Sequence, residues 1–235
     1  LISRVGEPVI RQAIITAMRI LGRQFVMGRT IDEALDRAVP AEKNGYRHTF
    51  DMLGEAARTA ADALRYYETY GRAIEIIGAA AGGKPALEAP SVSIKLSALH
   101  PRYEVANEEG VRRELWPAVK DLALKAKRYN IGFTIDAEEM DRLELSLDLI
   151  EALALDSELA GWDGLGMAVQ AYQKRALATV EWLADLAHRS GHRFGLRLVK
   201  GAYWDAEIKA TQERGLSDYP VFTRKVSSDV AYLAC

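Results

Sequence analysis

Cysteine is almost absent from this chain: Cys235, at the last of 235 positions, is the sole example, which excludes an internal disulfide framework and suits a reducing, cytoplasmic setting. No apolar run is long enough to span a bilayer, and the first residues lack the charged-then-apolar layout of a secretory signal, so any membrane contact is expected to be peripheral. Charge of one sign is missing too. The 31 basic and 33 acidic residues are interspersed and nearly cancel, to a net −2, which argues against a nucleic-acid-binding surface on this segment. His48, His100, His188 and His192 show no metal-ligand spacing, so no metal is expected. No serine or cysteine sits in a nucleophile motif, which leaves acyl transfer unsupported. Glu138 and Glu139 are adjacent and are expected to diverge rather than act as an acid/base pair.

A hydrophobic fraction of 49% fits a soluble globular protein with a sizeable core. Val9, Ile10, Ala13, Ile14, Ala17, Met18, Ile20 and Leu21 recur at helical spacing, and a second short helix starts at Thr30 with Glu33 completing a capping box. Residues 1–44 thus read as a helical arm. From Tyr46 onward short apolar runs alternate with long amphipathic helices, the pattern of a parallel sheet wrapped by helices. The strands are expected at His48–Leu53, Ser91–Leu96, Gly132–Asp136, Leu165–Gln170 and Phe194–Val199. Helices are expected over Glu55–Ala81, Val111–Tyr129, Leu143–Leu155 and Lys174–Ser190, with a fifth crossover beginning near Ala202. Five βα units over 45–235 make up the first part of a TIM-type (βα)8 barrel, since eight units close one. The chain opens on Leu1 and stops in an amphipathic stretch without a cap, so it reads as a fragment whose remaining units lie beyond Cys235. The alternative is an open doubly wound sheet, but no glycine-rich dinucleotide fingerprint follows the first strand, and Gly164-Leu165-Gly166 lacks the third glycine and precedes a strand.

The strand ends carry Asp51, Lys95, Asp136, Gln170 and Arg197, polar groups of different chemistry at the tips of apolar runs. In a parallel barrel those tips converge on one rim, where active sites are built. The fifth tip is the richest. From Phe194 to Val199 the chain reads as a buried strand presenting Arg197 and Lys200; Gly201 lets backbone approach a ligand, and Tyr203 and Trp204 offer flat surfaces. Arg197 can fork onto paired acceptors, Lys200 can place a point charge on phosphate, and Trp204 can cover a heterocycle, which together suit a flavin nucleotide. The bland alternative is that the aromatics seal a helix onto the sheet and the cations face solvent.

The stretch from Arg197 through Lys209 resembles the flavin-binding segment of the proline dehydrogenase domain of bifunctional bacterial proline-utilisation proteins. Four further segments are similar to the same family: Gly45 to Glu55, Ser93 to Tyr103, Ile135 to Glu139, and Gln170 to Arg175. The resemblance runs through nearly the whole chain. It implies FAD-dependent oxidation of L-proline to 1-pyrroline-5-carboxylate, with hydride passing to flavin N5 and electrons going on to a membrane quinone. It also implies an aldehyde dehydrogenase domain in the same parent chain, with any DNA-binding segment lying outside these residues. Residue by residue, Arg197 matches an arginine near N5 and Gln170 a glutamine at the isoalloxazine edge. Val199, Lys200, Gly201 and Ala202 match the segment along the pyrophosphate and ribose, and Trp204 the tryptophan at the adenine. Thr223 either joins this cofactor group or caps a helix near Pro220. Lys95 matches a lysine facing the proline carboxylate, Tyr203 an aromatic wall of the pocket, and Asp136 an aspartate that orients neighbouring donors or assists the substrate ammonium. Glu55 either matches a gating-loop acid or complements a helix N-terminus. The tyrosines and the paired arginines that complete the family's pocket are absent from these residues.

Two other readings of the residues stand beside this one. A lysine Schiff-base aldolase on the same barrel would use Lys95 or Lys200. A non-catalytic interaction segment would use the N-terminal helices to dock on another domain.

Overall fold

A computed structural model describes residues 2–235. The chain divides into two compact units, 1–48 and 49–235. In the first, α1 (Ile2–Phe25) precedes α2 (Ile31–Glu42). Thr30 caps α2 by accepting from Glu33 N at 3.2 Å, but the Glu33 carboxylate reaches past the cap to Arg29 N at 3.0 Å, so the expected capping box is only half closed. Val9, Ile10, Ile14 and Met18 of α1 are exposed.

The second unit holds five parallel strands in sequential order: β1 (Thr49–Asp51), β2 (Ser91–Ile94), β3 (Gly132–Ile135), β4 (Leu165–Gln170) and β5 (Gly195–Val199). A doubly wound sheet reverses its order partway; an unbroken β1-β2-β3-β4-β5 order is that of a barrel wall. The crossovers are α3 (Ala60–Ala81), α4 (Trp116–Tyr129), α5 (Leu143–Ala154) and α6 (Ala176–Ser190), followed by α7 (Trp204–Glu213) and α8 (Lys225–Ala234). No helix among the described residues is long and apolar enough to cross a membrane.

Local chemistry sets the helix ends. Thr59 and Asp62 form a reciprocal capping box, 3.1 Å in each direction, that starts α3 at Ala60, and Gly82 closes it in the left-handed region at φ +62°. The start expected at Glu55 is therefore wrong: Gly54 and Ala56, at φ +139° and +52°, break any helix before that cap. Val111–Leu115 forms a π turn before Pro117 in the first turn of α4, and left-handed Asn130 ends that helix.

The core lies between sheet and helices. Val92, Ile94, Phe133, Ile135, Met167 and Val169 are buried on one sheet face, and every residue of β4 is buried because it also has neighbours on its other face. β5 departs from expectation. It is half exposed, with Leu196 at 42%, because as an edge strand of this sheet it pairs only with β4.

Candidate active site

Sheet register assembles the site. Ile94 pairs with Ile135, Ile135 with Met167, and Met167 with Leu196, so the next residues, Lys95, Asp136, Ala168 and Arg197, form one layer at the C-terminal ends of the strands. Alternation turns all four to the face opposite the apolar core residues. The bond from Asp136 N to Ile94 O, 2.9 Å, extends the ladder one step and fixes Asp136 beside Lys95. One layer below, Ser93 pairs with Asp51, which brings that aspartate under Lys95 from the first strand. Ala168, the small member of the layer, pairs with Arg197, whose guanidinium reaches past β4 to Asp136 beyond β3.

The result is an array of four charged residues and one serine. Lys95 Nζ donates to Asp136 at 2.9 Å and to Asp51 at 3.0 Å. Arg197 donates to Asp136 and, with two nitrogens at 3.2 Å each, to Ser93 Oγ; Ser93 in turn donates to Asp136. Asp136 is 6% exposed, and a buried carboxylate needs this many donors to offset its lost hydration. Burial alone would lower the Lys95 ammonium, but hydrogen bonding and charge from Asp136 and then Asp51 outweigh it and hold Lys95 above the ordinary lysine range. Tyr70, whose hydroxyl receives the Lys95 N–H at 3.2 Å, is pushed up to about 12 by its own burial. Asp51 stood among the polar strand tips, whereas Ser93 was legible only as an ordinary strand residue, although an isolated serine within Val92-Ser93-Ile94 is the signal of an inward polar contact.

A second cluster surrounds the β5 exit. Gly201 sits at φ +142°, and a Cβ there would lie 2.3 Å from the Tyr172 ring, so only glycine allows this approach. Gln170 spans two neighbours: its amide N donates to the Glu138 carbonyl and its amide O accepts from Ala202 N, both at 2.9 Å. The amide keeps one N–H and one lone pair for a ligand. Tyr203 N lies 3.3 Å from the Tyr172 hydroxyl. Trp204, 41% exposed, donates its indole N–H to Phe222 O at 3.0 Å, which brings the neighbouring Thr223 to the same cluster. Thr223 is exposed and precedes Arg224, the residue that stands at the α8 cap. Lys200 pairs with Asp229, whose hydrogen bond raises the ammonium, and both are solvent-accessible. Val199 ends β5, its carbonyl taking the Ala171 N–H at 2.8 Å.

Two expectations are corrected on this rim. Glu138 and Glu139 do not diverge: they leave a loop rather than a strand, and both accept from Arg142 Nη1, at 3.1 and 2.9 Å. Glu138 is also buried, and desolvation raises its carboxyl despite the hydrogen bonds from Ser97. Glu55 lies outside any helix, so complementing a helix N-terminus does not explain it. Its carboxylate accepts from the Tyr203 hydroxyl at 3.1 Å.

A barrel rim that joins a buried cation–carboxylate array to a glycine-opened, aromatic-lined strand exit defines a (βα)-barrel protein with its candidate active site at the C-terminal ends of the strands. Residues 34–235 match the proline dehydrogenase family, and the chain belongs to it. It is 56% identical over its full 235 residues to the bifunctional protein PutA of Klebsiella aerogenes, of which it covers 18%. It superposes on a variant of proline utilization A (PutA) from Bradyrhizobium japonicum with a TM-score of 0.85 and 53% identity, covering all of this chain and 24% of that one. On PutA from Bdellovibrio bacteriovorus inactivated by N-propargylglycine the TM-score is 0.88 at 27% identity, over 96% of this chain and 25% of that one. The chain thus spans about a fifth of the length of the curated PutA relatives it matches.

Proposed function

We propose that these residues form part of the catalytic barrel of an FAD-dependent proline dehydrogenase, which oxidises L-proline to 1-pyrroline-5-carboxylate as the first step of proline breakdown toward glutamate. The observation that carries this reading is the Asp51–Lys95–Asp136–Arg197 array beside the β5 exit, within a chain of that family. The parent is proposed to hold an aldehyde dehydrogenase domain and to act at the cytoplasmic face of a membrane, where a quinone collects the electrons. No nucleic acid is assigned to this segment.

The donor set fits the cofactor. Gln170 retains capacity at both ends of its amide, Gly201 admits backbone contact, and Val199, Lys200, Ala202, Trp204 and Thr223 surround the same strand exit. Bound FAD supplies the hydride acceptor. Arg197 would place a fixed positive charge beside the bound cofactor, and Asp136 and Ser93 hold that guanidinium in place, so little reorganisation would be needed. Lys95, a permanent cation at neutral pH, faces the substrate carboxylate, and Asp136 fixes its direction. Tyr203 walls the pocket and is tied to Glu55. Placement over the flavin, rather than covalent help, is what hydride transfer requires from the polypeptide.

The aldolase reading fits less well. A Schiff-base lysine needs a lowered pKa, and neither lysine has one: two carboxylates hold Lys95 up and Asp229 holds Lys200 up. The deciding experiment is anaerobic addition of L-proline to the full-length protein supplied with FAD, following the flavin absorbance and trapping the pyrroline product with o-aminobenzaldehyde. Bleaching with product is expected; a flavin that stays oxidised overturns the reading.

A further inference from the structure

Ser97 sits in the helical turn Leu96–Leu99, just past Lys95, and is 3% exposed. It has no place in the charged array, yet its polar atoms tie the loop after β1 to Glu138 beyond β3. Its backbone N–H donates to Glu138 Oε1 at 3.0 Å. Its hydroxyl accepts from Ala56 N at 3.0 Å, and its carbonyl accepts from Ala57 N at 2.8 Å. Two successive amides of the loop after β1 therefore end on one buried serine of the next βα unit.

That loop needs holding. Ala56 lies at φ +52°, a left-handed conformation that costs an alanine about 1 kcal/mol or more and persists only where surrounding contacts enforce it. Gly54, two residues earlier, is at φ +139° with the Tyr66 ring 2.3 Å from where a Cβ would stand. Between them is Glu55, whose carboxylate accepts from Tyr203. The polar chain continues in the other direction: Glu138 joins Ser97 to Gln170, and Gln170 joins Glu138 to Ala202, beside Tyr203. Hydrogen bonds, joined by the covalent steps Glu55–Ala56 and Ala202–Tyr203, thus link the exits of β1, β2, β3, β4 and β5 in a closed circuit.

We propose that Ser97 is a positioning residue for the pocket: by fixing the amides of Ala56 and Ala57 it sets the Glu55 carboxylate, and through it the Tyr203 ring, over the proline site. The role rests on the proline dehydrogenase reading above. Ser97 is assigned no contact with substrate or cofactor, since it is enclosed at 3% exposure. Removing its hydroxyl frees the Ala56 amide, lets that residue relax out of the left-handed region and takes one of two Ser97 hydrogen bonds from Glu138, so Glu55 loses its fixed position while Lys95, Asp136 and Arg197 keep theirs.

The test compares the full-length protein with Ser97→Ala, Glu55→Ala and the double variant. Amide hydrogen exchange in a peptide covering 52–58 should quicken at least about tenfold in Ser97→Ala, with a peptide covering 91–95 unchanged. The proline KM should rise several-fold while kcat changes less than twofold. In the Glu55→Ala background Ser97→Ala should add little further to KM, because both act through one contact. Unchanged exchange over 52–58 overturns the anchor. Faster exchange across 91–95 as well reduces Ser97 to a general packing role and overturns the proposal, as does multiplication of the two KM effects. Absence of proline oxidation in the unmutated protein would instead overturn the functional reading, and the exchange measurement would still decide whether Ser97 holds the loop.

Discussion

Replacing Asp136 by asparagine keeps the shape of the side chain and removes the charge that three donors share. Lys95 Nζ at 2.9 Å, Arg197 and Ser93 all converge on this carboxylate, which is 6% exposed. Breaking one side of a buried ion pair typically costs about 3–5 kcal/mol, because the remaining charge is left buried and unpaired. Two features reduce that figure here. Lys95 keeps Asp51 at 3.0 Å, and the Arg197 side chain is 38% exposed, so water takes over part of its solvation. The expected loss is therefore about 2–3 kcal/mol, a fall in Tm of roughly 5–10 °C for a domain of this size. Lys95 sets the pH dependence. Its folded pKa is raised, so its share of the stability is fully present below the ordinary lysine range and is lost as pH rises through the raised value. The stability gap between the two proteins, measured by calorimetry, should consequently stay flat through neutral and mildly alkaline pH and shrink only above about pH 10. A Tm within about 2 °C of the unmutated protein would refute the buried-pair argument, since it would mean the array contributes no more than exposed ion pairs do.

Arg197→Met should slow flavin reduction by proline at least about a hundredfold while lowering Tm only modestly, since the lost charge acts mainly where negative charge develops; an unchanged reduction rate in rapid mixing would remove Arg197 from that role. Lys95→Met should raise the proline concentration needed for half-maximal reduction by about tenfold or more and leave the saturating rate less affected; collapse of the saturating rate at unchanged affinity would place Lys95 in the chemistry instead. Gly201→Ala should weaken FAD retention and cost about 1–3 kcal/mol of stability, because its Cβ meets the Tyr172 ring at 2.3 Å in backbone conformation that alanine resists; unaltered flavin affinity by fluorescence titration would show that the strand exit tolerates a side chain.

Much was settled by local pattern. Alternating strand and helix periodicity located all five strands to within a few residues, since burial of one face is written into each segment separately. The polar tips Lys95, Asp136 and Arg197 stood out for the same reason: each is a charged group at the end of an apolar run. What local pattern misjudged were features decided by neighbours distant in the chain. Phe194–Val199 is apolar like a buried strand, yet β5 is half exposed because only β4 pairs with it. Glu55 lies in a stretch that resembles the start of a helix, but the capping box at Thr59 and the left-handed Ala56 shift that start to Ala60. The contacts that turn residues into a site were out of reach altogether. Arg197 meets Ser93 across 104 positions and Tyr203 meets Glu55 across 148. Such pairs depend on interstrand register and on the loops that follow the strands. A strand's own period of two says which face each side chain takes, but only docking against the other strands decides which charges share a layer, and therefore which cation each carboxylate holds.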